Sequence, residues 1–84
     1  MRAIDFLGQK EIECVQVYLT AEEAAFIVKK LNKLLGDPEA CDHFHVDLGS
    51  RDLSFSIVTP TKLATGRYTP LEAQVLDGIL DDPA

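Results

Sequence analysis

Thr20-Ala21-Glu22-Glu23 is a helix start, and it constrains the fold more than any other stretch of the chain. A threonine followed three residues later by glutamate forms a capping box, in which each side chain serves the other's backbone N–H. Behind it, Ala24, Ile27, Val28, Leu31, Leu34 and Leu35 recur at helical spacing and form one apolar stripe. Glu22 and Glu23 sit at the positive end of the helix dipole, and Lys29, Lys30 and Lys33 toward its negative end. Gly36 is the expected C′ residue. Phe26 falls outside the stripe, between Glu22 and Lys30, and is either covered by a loop or strand edge or left as an exposed aromatic anchor.

The same capping chemistry recurs at Thr69-Pro70-Leu71-Glu72, with Pro70 at the first helical position. Leu71, Val75, Leu76, Ile79 and Leu80 supply the buried face of this final helix, and Gly78 within it costs about 1 kcal/mol relative to alanine. Residues 81–84 are expected to fray.

The remaining patterned segments read as strands. Residues 1–7 and 11–19 flank a turn at Gly8-Gln9-Lys10. In the second run Val15, Val17 and Leu19 point one way and Ile12, Cys14 and Tyr18 the other, as in a central strand. Residues 43–48 and 52–58 alternate around Gly49-Ser50. Phe44, Val46 and Leu48 take one face of the first, His43, His45 and Asp47 the other, while Leu53, Phe55 and Ile57 point inward from the second. A two-residue loop at Gly49-Ser50 sets Val46 opposite Leu53 and His45 opposite Ser54. Residues 59–68 form the longest irregular segment. The expected fold is a single α+β domain over residues 1–84, of order ββαββα, with a small antiparallel sheet and two helices packed on one face.

With 84 residues, the chain allows one modest core and buries only about 60–65% of the surface its unfolded form exposes. Its apolar runs are far shorter than the roughly 20 residues that span a membrane. Met1-Arg2-Ala3-Ile4-Asp5-Phe6 carries an acid inside its apolar stretch and no small-residue cleavage pattern. No signal peptide is expected, and the cytoplasm is the expected compartment. Two cysteines, Cys14 and Cys41, are too few for a disulfide framework and read as free thiols; a bridge between them would need neighbouring strands and an oxidising compartment.

Fourteen acids against eight bases, a net charge of −6, disfavour nucleic acid, which demands clustered Lys and Arg. The charge favours a basic protein partner, whose opposite field steers encounter. Acids gather in two segments: Asp37, Glu39, Asp42, Asp47 and Asp52, then Glu72, Asp77, Asp81 and Asp82.

Cys41-Asp42-His43-Phe44-His45-Val46-Asp47-Leu48 carries the densest chemistry. His43 and His45 share a strand face with Cα atoms roughly 6.5–7 Å apart, and two imidazoles so spaced can converge on one ion at about 2.0–2.1 Å. A third ligand from the same strand would sit about 13 Å away, so it must come from the neighbouring strand, which offers Asp52, Ser54 and Ser56. His-x-His-x-Asp resembles part of the metallo-β-lactamase metal motif, yet Leu48 stands where that motif continues with histidine and the chain is too short for that fold. Catalysis is not expected. His43 and His45 could act as bases near Ser54 or Ser56, but an open sheet face supplies no buried orienter and no oxyanion donors. Neither metal nor cofactor is expected, and His43 and His45 stand as the ligands if a metal binds.

The wet face of the strand is therefore the preferred reading. Asp42, His43, His45, Asp47 and Asp52, with Phe26, Arg67 and Tyr68, are the candidate partner-binding residues. Arg67 and Lys62 lie in the 59–68 loop leading into the last helix.

The stretch Asp42-His43-Phe44-His45-Val46-Asp47 and the strand that follows to Thr59, in a small acidic domain, resembles some bacterial polymorphic-toxin immunity proteins. That resemblance implies inhibition of a toxin by binding, with no catalytic residue. Two further classes stay open: a metal-binding regulatory or enzymatic domain centred on His43 and His45, and an assembly subunit forming a homodimer through a sheet edge.

Overall fold

The computed structural model describes residues 1–40, 43–48 and 51–82, with the side chains of Asp47 and Leu48 excepted. Cys41, Asp42, Gly49, Ser50, Pro83 and Ala84 lie outside the described residues. Among the described residues the protein is a small α+β chain with two antiparallel two-stranded sheets and three α-helices. It divides into two compact units, Met1–Val17 with Pro60–Ala84, and Tyr18–Thr59.

In the Tyr18–Thr59 unit, helix α1 runs over Ala21–Gly36, and both halves of its capping box form. The Glu23 N–H donates to Thr20 Oγ1 at 3.1 Å, and the Thr20 N–H to Glu23 Oε1 at 2.8 Å. The helix closes two residues later than its glycine suggested. Gly36 remains helical and Asp37 is the C-cap, its N–H donating to the Leu34 carbonyl at 3.2 Å, a tightening i−3 bond of the kind common at helix ends. Asp37 then accepts from the Ala40 N–H.

Strands β3 (Phe44–Leu48) and β4 (Arg51–Phe55) form the second sheet. Their register pairs Val46 with Leu53, His45 with Ser54 and Leu48 with Arg51, as a two-residue loop requires. Phe44 and Phe55 stack across the pair with centroids 5.3 Å apart. Val46 is 2% exposed, the best-buried hydrophobic side chain of this unit, and Ile27 and Leu34 of α1 are buried too. Strand β4 ends at Phe55, three residues before the expected end at Val58. Val28 and Leu35 lie on the flank of the α1 stripe and remain exposed. Buried Thr59 donates from Oγ1 to Glu39 Oε2 at 3.0 Å.

In the other unit, β1 (Ile4–Asp5) and β2 (Lys10–Glu11) form a short ladder. The turn between them is set by Asp5, whose carboxylate accepts from the Gly8 N–H at 3.0 Å. A Cβ on Gly8 would lie 2.5 Å from Asp5 Oδ2, so glycine is what lets the carboxylate come so close. The strand expected over 11–19 is not formed. Beyond the bond from the Ile12 N–H to the Ala3 carbonyl at 2.8 Å, the N-terminal run offers no further edge, and a strand without an edge cannot build a ladder.

Residues 59–68, expected to be irregular, contain helix α2 (Pro60–Ala64). Thr59-Pro60 repeats the Thr69-Pro70 pairing that opens the last helix, with proline preset for the first turn. Thr65 ends it, donating from Oγ1 to the Lys62 carbonyl at 2.7 Å. Helix α3 (Pro70–Leu76) begins at a second complete capping box and stops at Asp77. Gly78 adopts φ +77°, a left-handed conformation that ends the helix instead of merely weakening it, and a 3₁₀ turn follows at Ile79–Asp81. Val75 and Leu76 are buried, whereas Leu80 is exposed.

Arg2 fastens the N-terminal residues of this unit. Its Nε donates to the Val75 carbonyl at 2.9 Å, one terminal nitrogen donates to the Asp77 carbonyl at 3.1 Å, and the other pairs with the Asp82 carboxylate. A planar guanidinium satisfies two carbonyls at a helix C-terminus and one acid together, a task for which lysine lacks the geometry. No helix among the described residues is long and apolar enough to cross a membrane.

Candidate functional site

The β3–β4 hairpin and the residue just ahead of it carry half of the eight residues singled out in the sequence: His43, His45, Asp52 and the strand position of Asp47. Alternation drives Val46 and Leu53 to one side of the sheet, and so leaves His45 and Asp52 on the other. His45 and Asp52 occupy diagonal positions on adjacent strands, and His45 Nδ1 lies 3.0 Å from Asp52 Oδ1. Their side chains are 56% and 73% exposed. In so wet a setting the pair contributes at most a fraction of a kcal/mol to folding. What it fixes is orientation: with Nδ1 turned to the carboxylate, the imidazole presents Nε2 outward.

His43, exposed just ahead of β3, meets His45 edge to face, with ring centroids 4.7 Å apart at 87°. The register places Asp47 directly across from Asp52. Two acidic positions directly opposite each other oppose pairing of the strands by a few tenths of a kcal/mol.

Chemically the arrangement offers two imidazoles and a carboxylate on an open surface. His43 and His45 are the side chains that could hold a metal ion, with Asp52 engaged as a partner that orients His45. No group of three or more His, Cys, Asp or Glu side chains among the described residues has the proximity of a metal site. Ser54 lies opposite His45 in the register, and no hydrogen bond joins the two side chains.

The other candidate residues are dispersed. Phe26 is 44% exposed on α1, with the Lys30 ammonium 5.4 Å from its ring centroid, a cation–π contact that partly covers it. Exposed Arg67 and half-buried Tyr68 belong to the other unit, between α2 and α3, and each already makes an interaction within the protein. Lys62, expected to be a loop base, is almost fully buried in α2.

Several acids counted toward the acidic surface have structural duties. Glu39 receives Thr59, Glu72 completes the α3 cap and Asp82 holds Arg2. Asp42 lies outside the described residues, and of Asp47 the strand position is described.

Sequence reasoning passed over several exposed apolar side chains: Val15 and Val17 in one unit, and Tyr18, Leu19, Val28 and Leu35 in the other. In 11–19 the signal was the expected second strand itself: a strand apolar on both faces needs partners on both edges, and the preceding residues supply at most one.

No family profile, no curated protein and no solved structure matches the chain.

Proposed function

We propose that this chain is a non-enzymatic protein-binding module that docks onto a basic protein partner, with immunity-type neutralisation of a toxin as its specific form. The outward face of the hairpin carries the proposal: His43, His45 and Asp52 stand exposed around the opposed acidic positions Asp47 and Asp52. Lysine or arginine side chains of the partner would enter this acidic face, and His43 and His45 would pack beside them and exclude water. Such docking inhibits by occlusion and asks no chemistry of the chain. The net charge of −6 steers a basic partner toward it.

Co-expression with the products of the flanking genes tests this. A basic product should co-purify, should dissociate as salt rises well above about 0.15 M, and should be lost with His45→Ala/Asp52→Lys while the variant's fold is unchanged. Retention of the same product by that variant, or binding indifferent to salt, would overturn the assignment.

The 4.7 Å contact of His43 with His45 favours one rival, a metal-binding domain. Titrating chelator-stripped, tag-free protein with zinc, nickel and manganese separates the two. A melting shift of several degrees that disappears in His43→Ala/His45→Ala would establish the rival.

A further inference from the structure

Helix α1 has two apolar sides, and only one of them is buried. Ile27 and Leu34 lie inside its unit, with Ala24 and Leu31 half-buried beside them. Further round the helix run Ala21, Ala25, Val28, Asn32 and Leu35, all exposed, Val28 by 58% and Leu35 by 67%. They recur in steps of four, three, four and three residues. That is the spacing of the seam by which one helix packs along another. The small side chains of Ala21 and Ala25 let a second helix come close.

Charge says which helix. Among the described residues Glu22 and Lys29 make no hydrogen bond and no ion pair, whereas Glu23 is taken by the cap and Lys30 by Phe26. Both are exposed and border the seam on one flank, a heptad apart. A helix laid on the seam therefore meets one acid and one base in a fixed order, and α1 run the other way answers both. We infer that a second copy of this chain packs its own α1 antiparallel against this seam, giving a two-fold dimer.

The same two charges select the register. Antiparallel interleaving sets Ala25 of each copy against Val28 of the other at the centre, with Ala21 against Asn32 on either side. Glu22 of each copy then lies beside Lys29 of the other, twice over by symmetry. A slip of one heptad preserves the seam but brings the two copies of Glu22 together in one direction and the two copies of Lys29 together in the other. A parallel pair sets Lys29 beside Ala24, leaves Glu22 unmatched and puts like ends of the helix dipoles side by side.

The contact is isologous and closes on itself, so it makes dimers and not fibres. A helix of 16 residues gives a seam only about four turns long, so association is weak and reversible. All of these residues belong to the Tyr18–Thr59 unit, and none lies on the hairpin. The inference is independent of partner docking through the hairpin face.

Sedimentation velocity over a wide concentration range tests it. The expected result is a reversible dimer whose dissociation constant rises at least tenfold in Ala25→Glu/Val28→Glu. Both positions are exposed in the single chain, so circular dichroism and melting should be unchanged. Exchange of charge gives a second reading. Glu22→Lys and Lys29→Glu should each weaken self-association, and the chain carrying both substitutions should regain it. Mixed in equal amounts, the two single variants should form a heterodimer tighter than either homodimer, because only unlike charges then meet. A chain that stays monomeric throughout, a dimer indifferent to the Ala25 and Val28 substitutions, or charge variants that neither recover in the double nor pair when mixed would overturn the inference.

Discussion

Residues 43–48 and 11–19 look alike as strings of alternating, strand-forming residues, yet they end in opposite conditions. The first finds β4 directly behind it in the chain, pairs from Phe44 to Leu48 and buries Val46. The second pairs with β1 only through Glu11, Ile12 adds one main-chain bond to Ala3, and among the described residues 13–19 make no hydrogen bond. The contrast teaches that β-propensity describes a fit to a pleated surface, and a strand exists only where an edge is offered. The paired hairpin turns His45 and Asp52 outward, while residues 13–19 leave their backbone without a ladder.

Substitutions can break or sharpen this comparison. The largest effect is expected from Val46→Asp, which buries a charge against Leu53 and the stacked phenylalanines and should cost at least ~3 kcal/mol. In a chain of this size that unfolds the molecule, and loss of the cooperative denaturant transition would report it.

Arg2→Ala comes next. It removes a guanidinium that holds two carbonyls and the Asp82 carboxylate, at an expected cost of about 1–2 kcal/mol. Faster amide exchange at Glu11 and Ile12 should accompany the lower melting temperature, because the short β1–β2 ladder loses its anchor.

Thr20→Ala takes away the α1 cap for about 1 kcal/mol, read from the denaturation midpoint. The effect should leave the hairpin register intact, and nuclear Overhauser contacts between Phe44 and Phe55 would show it.

The smallest effects separate surface from core. Asp52→Asn and Val15→Asp should each change stability by less than ~0.5 kcal/mol. Asp52→Asn should sharply reduce partner binding, and Val15→Asp should leave it unchanged. Affinity measurements on the two preparations check both halves.

Local chemistry was the legible part of this fold. Thr20 with Glu23 and Thr69 with Glu72 announce their helices because a capping box is complete within four residues. The β3–β4 register is likewise fixed by alternation and loop length close together in the chain. What was illegible depended on remote residues. Nothing within 11–19 reveals that β1 contributes only two residues of edge, and nothing around Gly78 states that it turns left-handed. Thr59-Pro60 was readable but lay inside a stretch rich in turn residues, and its likeness to Thr69-Pro70 is the signal that identifies α2. At the candidate site, alternation correctly put His45 and Asp52 on an exposed face. The Nδ1–carboxylate contact between them depends on a diagonal across two strands and could not be read from spacing along either.

Amide hydrogen exchange, measured in dilute and in concentrated protein, tests the contrast between these two segments most directly. Amides of Phe44–Leu48 and Arg51–Phe55 that face their partner strand should exchange slowly at both concentrations. Those of residues 13–19 should exchange at free-peptide rates at both. Protection of 13–19 already in dilute solution would reveal an internal partner, and an unprotected β3–β4 hairpin would remove the scaffold on which the docking face depends; either result contradicts the account.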